Sequence, residues 1–135
     1  MNFLNKLLEI TNLSKEEFDL LIKEVSLNDI EDPNNFENID KAVSRIFQAI
    51  KNNKKIMVYG DYDCDGICSV SILVNAFKKL NYEIGYYIPS RYKDGYGINE
   101  KMVDLIHSKG YKLIITVDNG VSQNEALKKA KDYGI

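Results

Sequence analysis

The chain has 135 residues, 28% of them charged, and a formal net charge of −2. One domain is the size class expected at this length. Two prolines and eight glycines exclude a collagen-like repeat or a disordered Pro/Gly tract, and two cysteines exclude a disulfide scaffold.

The first third reads as helix. Residues 2–10 place Phe3, Leu4, Leu7 and Leu8 at helical spacing. Ser14-Lys15-Glu16-Glu17 is a capping box, followed by a stripe of Phe18, Leu21, Ile22 and Val25. Residues 28–38 are acidic, contain Pro33 and form a loop. A third helix over 37–52 puts Ile39, Val43, Ile46, Phe47 and Ile50 on one face. Residues 1–54 are thus a helical lead-in.

From residue 55 the rhythm changes to strands at 56–59, 82–88 and 112–117 and helices at 67–80, 99–109 and beyond 122. Gly60–Gly66 is the first turn, 89–97 a loop, and 118–121 the last turn. Asn99 caps the second of these helices, and Ser122-Gln123-Asn124-Glu125 is a second capping box. The alternation predicts an α/β fold, a parallel sheet with flanking helices on one face or both. Asp132-Tyr133-Gly134-Ile135 closes a helix and starts an apolar segment, so further chain is expected beyond it. No apolar run approaches the ~20 residues needed to cross a bilayer. Residues 1–10 lack a leader pattern, so a cytoplasmic protein with no membrane partner is expected.

Charge and cysteine chemistry narrow the function. Residues 1–54 carry seven basic and ten acidic groups, and 55–135 carry eleven and ten, so neither half has the positive field of a free-standing nucleic-acid binder. Any bound polyanion needs another source of positive charge. Cys64 and Cys68 are spaced i, i+4, which is wrong for a CxxC motif, and read as ordinary reduced thiols. His107, the single histidine, reads as a solvated surface residue.

The sharpest motif is Gly60-Asp61-Tyr62-Asp63-Cys64-Asp65-Gly66. On an extended segment, alternate carboxylates fall on one side, and three like charges there call for a cation. Oxygen ligands suit a hard divalent ion. Asp118-Asn119-Gly120 alone is ordinary turn chemistry. In a parallel sheet, however, the C-terminal strand ends share one edge, which puts Asp118 beside Asp61, Asp63 and Asp65. Four carboxylates there look like the start of a two-metal site. On the same edge, Tyr87, Tyr92 and Tyr96 interleave with Arg91 and Lys93, the mix that stacks on bases and pairs with phosphates. Two other readings fit less well. A calcium loop starting at Asp61 needs Glu at its twelfth position, where Ile72 stands, and a helix before it. A haloacid-dehalogenase-type phosphatase, with Asp61 as nucleophile and Thr116 as its second motif, prefers Thr or Val where Asp65 stands. It also lacks its later lysine and paired aspartates.

Taken together, GDYDCDG, YIPSRYKDGYG and LIITVDNG, with IDKAVSRIFQAIKNNKKIMVYGD leading in, resemble the RecJ-type single-strand-specific exonucleases of the DHH phosphoesterase superfamily. The resemblance covers nearly the whole chain. It implies a DHH-type, Rossmann-like domain from residue 55 and 5′-to-3′ hydrolysis of single-stranded DNA with Mn²⁺ or Mg²⁺. The mechanism it implies is in-line attack on phosphorus by metal-activated water. By motif, Asp63, Asp65 and Asp118 are implied as catalytic metal ligands, with Asp61 a further carboxylate. Arg91, Tyr92, Lys93, Tyr96 and Asn119 are the expected substrate-facing residues. Some relatives carry His where Tyr59 stands. The superfamily's third motif, Asp-His-His, its fourth-motif aspartate and the later DNA-gripping domain are not in this chain, so on its own it is not expected to be a competent nuclease. DNA repair and recombination, with other repair proteins as partners, is the implied setting. A related DHH phosphodiesterase acting on oligonucleotides or cyclic dinucleotides is the alternative, and a noncatalytic remnant is another. PSRYKDGYG favours the RecJ branch.

Overall fold

The computed structural model describes residues 3–135, so Met1 and the Asn2 start of the first predicted helix lie outside the described residues. The chain divides into two compact units between Ile39 and Asp40.

In the first unit, α1 (Phe3–Thr11) and α2 (Lys15–Leu21) are joined by Asn12 at φ 55°. The expected capping box forms: Ser14 Oγ accepts the Glu17 N–H at 3.1 Å, and Glu17 accepts the Ser14 N–H at 2.8 Å. The stripe behind it is shorter than expected. Helix α2 ends at Leu21, and Leu21, Ile22 and Val25 are exposed. The acidic loop contains two single 3-10 turns, Leu27–Asp29 and Pro33–Asn35, the second capped by Asp32.

Helix α3 (Ile39–Lys51) lies in the second unit from Asp40 onward, and that unit also holds β1 (Ile56–Tyr59), α4 (Cys64–Lys79), β2 (Gly85–Tyr87), α5 (Glu100–Ser108), β3 (Leu113–Thr116) and α6 (Asn124–Asp132). All three strands are parallel in the order β2-β1-β3. The central strand Ile56-Met57-Val58-Tyr59 is buried throughout, as a strand covered on both faces must be.

Period-two alternation divides the core. Ile56, Leu113 and Ile115 pack with Ile46, Ala49 and Ile50 of α3 and Phe77 of α4. Met57, Tyr59 and Ile114 pack with Met102, Val103 and Ile106 of α5 and Ala126 and Ala130 of α6. Helices therefore cover both faces. The buried stripe of α3 departs from expectation. Ala49 is its buried residue, while Val43 and Phe47 are exposed, because the sheet meets the helix along 46, 49 and 50.

Helix ends also show what local sequence decides. Asn99 Oδ1 accepts the Met102 N–H at 3.0 Å, so the α5 cap forms as expected. The second capping box does not form. Gln123 is the N-cap of α6 without a side-chain cap bond, and its Oε1 instead accepts the Gly120 N–H at 2.9 Å. Gly120 lies three residues before Gln123, so one local bond stands in place of another. At the C-terminus Gly134, at φ 70°, donates to Lys131 O and Ile135 donates to Ala130 O, a Schellman closure.

Asp104 of α5 ties α6 down, accepting from Lys129 Nζ and from the Tyr133 hydroxyl, both at 2.7 Å. Tyr133 also stacks on His107 with ring centroids 4.1 Å apart, so His107 is half-buried rather than solvated. The Lys129 bond, then the Tyr133 bond, hold the Asp104 carboxyl below its usual pKa. A depressed acid contributes stability above its unfolded pKa, near 4, and loses it as pH falls through the folded value. Thermal unfolding should therefore show Asp104→Asn less stable than wild type at pH 7, with the difference closing towards pH 2. A difference independent of pH would contradict this.

Candidate metal centre

Sheet order β2-β1-β3 creates a switch point. The chain leaves β1 for β2 on one side and returns past β1 to β3 on the other. Ligands of such sheets bind outside the strand ends at this place. Asp61 and Asp63 follow β1, and Asp118 follows β3. Carboxylate oxygens of Asp61, Asp63 and Asp118 all lie within 4.8 Å of one another.

Each carboxylate is held differently. Asp61 is 3% exposed, and its Oδ1 accepts the Tyr62 N–H at 2.7 Å. Asp63 caps α4, accepting the Gly66 N–H at 3.0 Å. Asp118 is exposed and sits at φ 59°, the left-handed region that Asp tolerates better than most residues. Asn119 fixes this turn by donating from Nδ2 to Val117 O at 2.8 Å and to Tyr59 O at 3.3 Å, stapling the ends of β3 and β1. Its Oδ1 is buried without a hydrogen-bond partner. Gly120, at φ 101°, follows because a Cβ there would stand 2.4 Å from Thr116 Oγ1.

Asp65 departs from the alternating arrangement. Helix α4 begins at Cys64, three residues earlier than expected, so Asp65 follows a helical period and falls outside the group of three. It occupies the first turn of α4, where a negative charge suits the helix dipole. Its charge still reaches the site. Desolvation first, then a hydrogen bond to Asp63 and the charges of Asp63, Asp65 and Asp61, raise the Asp118 pKa above the ordinary carboxylate range.

This donor set fits a hard divalent cation. It is all oxygen, converges at one sheet edge, and carries mutual repulsion that a cation would relieve. The ion pairs found among the described residues lie elsewhere, at Lys6–Glu9, Lys23–Asp29 and Lys129 with Asp104 and Glu100. Tyr59 is fully buried. Its ring stacks on Tyr87 at 5.6 Å, and its hydroxyl donates to Gly97 O at 3.2 Å.

The expected substrate-facing residues are dispersed. Tyr96 and Asn119 line one cleft of about 360 Å³ with Asp118, and the Tyr96 hydroxyl reaches Asp118 O at 3.4 Å. Arg91 lies over the Tyr62 ring, its Cζ 5.7 Å from the centroid. Lys93 lines a different cleft with Asp94, Asn99 and Glu100, and Tyr92 is 95% exposed.

Sequence reasoning missed the residue that shapes this loop. Asp94 Oδ2 accepts the Ser90 N–H at 2.7 Å and the Tyr87 hydroxyl at 2.9 Å, and Asp94 O accepts from Asn99 Nδ2 at 3.2 Å. A carboxylate four residues after Ser90 in a glycine-rich loop was the available signal. Gln123 secures the turn after Asp118, and its signal was equally local, a glutamine three residues after Gly120.

Residues 55–135 match the family described as "DHH family, N-terminal domain". The chain belongs to the DHH family. Within the DHH family it is similar to the single-stranded-DNA-specific exonuclease RecJ of Bacillus subtilis, 43% identical over 107 residues, which cover 79% of this chain and 14% of that protein. RecJ of Escherichia coli is 39% identical over 98 residues, covering 72% of this chain and 17% of that protein. A crystal structure of exonuclease RecJ bound to manganese superposes with a TM-score of 0.67 at 30% identity, covering 73% of this chain and 26% of that one. The chain thus spans about a sixth of the length of these curated relatives. The expected parallel sheet with flanking helices is the fold observed. No helix among the described residues is long and apolar enough to cross a membrane.

Proposed function

We propose that residues 55–135 are the first part of the metal-holding domain of a RecJ-type exonuclease that hydrolyses single-stranded DNA from its 5′ end, with residues 1–54 as its helical lead-in. The observation that carries this is the convergence of Asp61, Asp63 and Asp118 at the β1/β3 switch point. Likeness to RecJ proteins over most of the chain supports the substrate class. The setting is cytoplasmic DNA repair and recombination, with other repair proteins as partners.

Asp61, Asp63 and Asp118 hold Mn²⁺ or Mg²⁺, and Asp65 is the remaining first-motif carboxylate for a two-metal site. Such ions supply charge neutralisation at phosphorus and a nucleophile generated from water at neutral pH. The residues of the chain orient and bind. Buried Asp61 and capped Asp63 fix two carboxylates on one turn, and Asn119 holds the backbone that presents Asp118. Arg91, Lys93, Tyr92 and Tyr96 meet the phosphates and bases of the strand. The DNA's phosphates need positive charge that the chain's own balance of −2 lacks, and the cations provide it locally.

Calorimetry with Mn²⁺ should show saturable binding by the chain. Exchanged for the matching 107-residue stretch of the Bacillus subtilis RecJ, the sequence should support Mn²⁺-dependent release of mononucleotides from single-stranded DNA in preference to duplex. Absence of Mn²⁺ binding at millimolar metal would instead favour a noncatalytic remnant. Cleavage of cyclic dinucleotides but not of DNA would favour the other DHH phosphodiesterases.

A further inference from the structure

We infer that Tyr62 is a positioning residue for Arg91: its ring carries the guanidinium beside the acid cluster while leaving the N–H donors open to a phosphate oxygen. This rests on the reading that the site takes a nucleic-acid strand. Tyr62 lies between Asp61 and Asp63, on the turn that gathers the carboxylates, and is half-buried. Arg91 belongs to the loop after β2 and is exposed. Their meeting, Cζ to ring centroid 5.7 Å, is therefore a tertiary contact between the carboxylate turn and the loop.

The choice of partner is informative. Arg91 takes part in none of the hydrogen bonds or ion pairs found among the described residues, although Asp63 and Asp118 are exposed on the same sheet edge. A carboxylate partner would consume two of the five guanidinium donors in a bidentate pair. It would also withdraw a carboxylate from cation binding. An aromatic face attracts the cation through its quadrupole and occupies no N–H donor. The stack thus restricts a side chain rich in rotamers while keeping its fork available for planar, bidentate recognition of phosphate. Lysine would not serve equally, because its compact ammonium lacks that fork. The tyrosine hydroxyl is not needed for this role, so phenylalanine should replace it.

The test is made in the Bacillus subtilis RecJ chimera carrying this chain's matching stretch, by fluorescence anisotropy with a 5′-phosphorylated phosphorothioate oligothymidine, which keeps its charge and resists hydrolysis, in the presence of Mn²⁺. Tyr62→Leu should weaken binding by about two- to five-fold, the worth of an exposed cation–π contact. Tyr62→Phe should match wild type, and Tyr62→Leu should have no further effect in an Arg91→Ala background. In NMR spectra the Arg91 Cδ protons should be shifted upfield by the ring in wild type and Tyr62→Phe, and not in Tyr62→Leu. Failure of the chimera with the wild-type stretch to bind the oligonucleotide overturns the nucleic-acid reading. Binding that survives Tyr62→Leu undiminished, a loss that persists without Arg91, or no upfield shift in wild type overturns the role of Tyr62 alone.

Discussion

Asp118→Asn should lower the Mn²⁺ affinity of the chain by at least ~10–100-fold, the loss typical even of groups that only support a metal ligand. Asparagine is the informative replacement because it accepts the left-handed backbone that Asp118 adopts at φ 59°. Alanine would mix a ligand effect with a backbone effect. The same reasoning selects Asp63→Asn. Asparagine caps a helix about as well as aspartate, so α4 keeps its start while the site loses a charge. Without metal, both variants should unfold at the same temperature as wild type or higher. Desolvation first, then the hydrogen bond to Asp63 and the neighbouring carboxylate charges, raise the Asp118 pKa, so its ionised form is disfavoured when the site holds no cation. With saturating Mn²⁺ the order should reverse, because binding to the native state stabilises wild type more. Calorimetric titration and thermal unfolding with and without Mn²⁺ check both signs. Unchanged Mn²⁺ affinity in both variants would remove these aspartates from any metal site.

Gly66→Ala should be destabilising by ~1–3 kcal/mol, the usual cost of forcing extra volume into a packed region. Helix propensity alone favours the opposite sign, since alanine is better than glycine within a helix by about 1 kcal/mol. Sterics decide the outcome. A Cβ at Gly66 would stand 2.5–2.7 Å from the backbone O, N and C of Asp61, and a backbone cannot swing aside as a side-chain end can. The strain therefore falls on the one buried carboxylate of the group. Mn²⁺ affinity should drop together with stability, as read by urea unfolding and calorimetry on the same sample. A stabilised variant with wild-type metal binding would show that α4 does not press on Asp61.

These two expectations also mark where local sequence stopped being sufficient. Strand β1 was legible because Ile56-Met57-Val58-Tyr59 is an uninterrupted apolar run, and the Ser14 and Asn99 caps were legible because their partners are three residues away. Signals of that range survive folding unless another partner competes. At the start of α6 Gln123 bonds to Gly120, equally close in sequence, and the Ser122 box does not form. The alternation of three aspartates marked a turn where carboxylates gather, but it placed all three on one side by assuming extended backbone. Burial of Gly66 against Asp61 instead accompanies a helix that starts at Cys64, and Asp65 leaves the group of three.

What the sequence determined by itself was the alternation of strand and helix, the parallel sheet, and the acidic motifs at two strand ends. Each rests on hydrophobic period and turn chemistry, which act over a few residues. Tertiary structure decided which carboxylates converge, because that depends on β1 and β3 lying side by side though more than fifty residues apart. It also decided that Arg91 rests on Tyr62 rather than on an aspartate, a choice between partners that only the folded chain brings within reach.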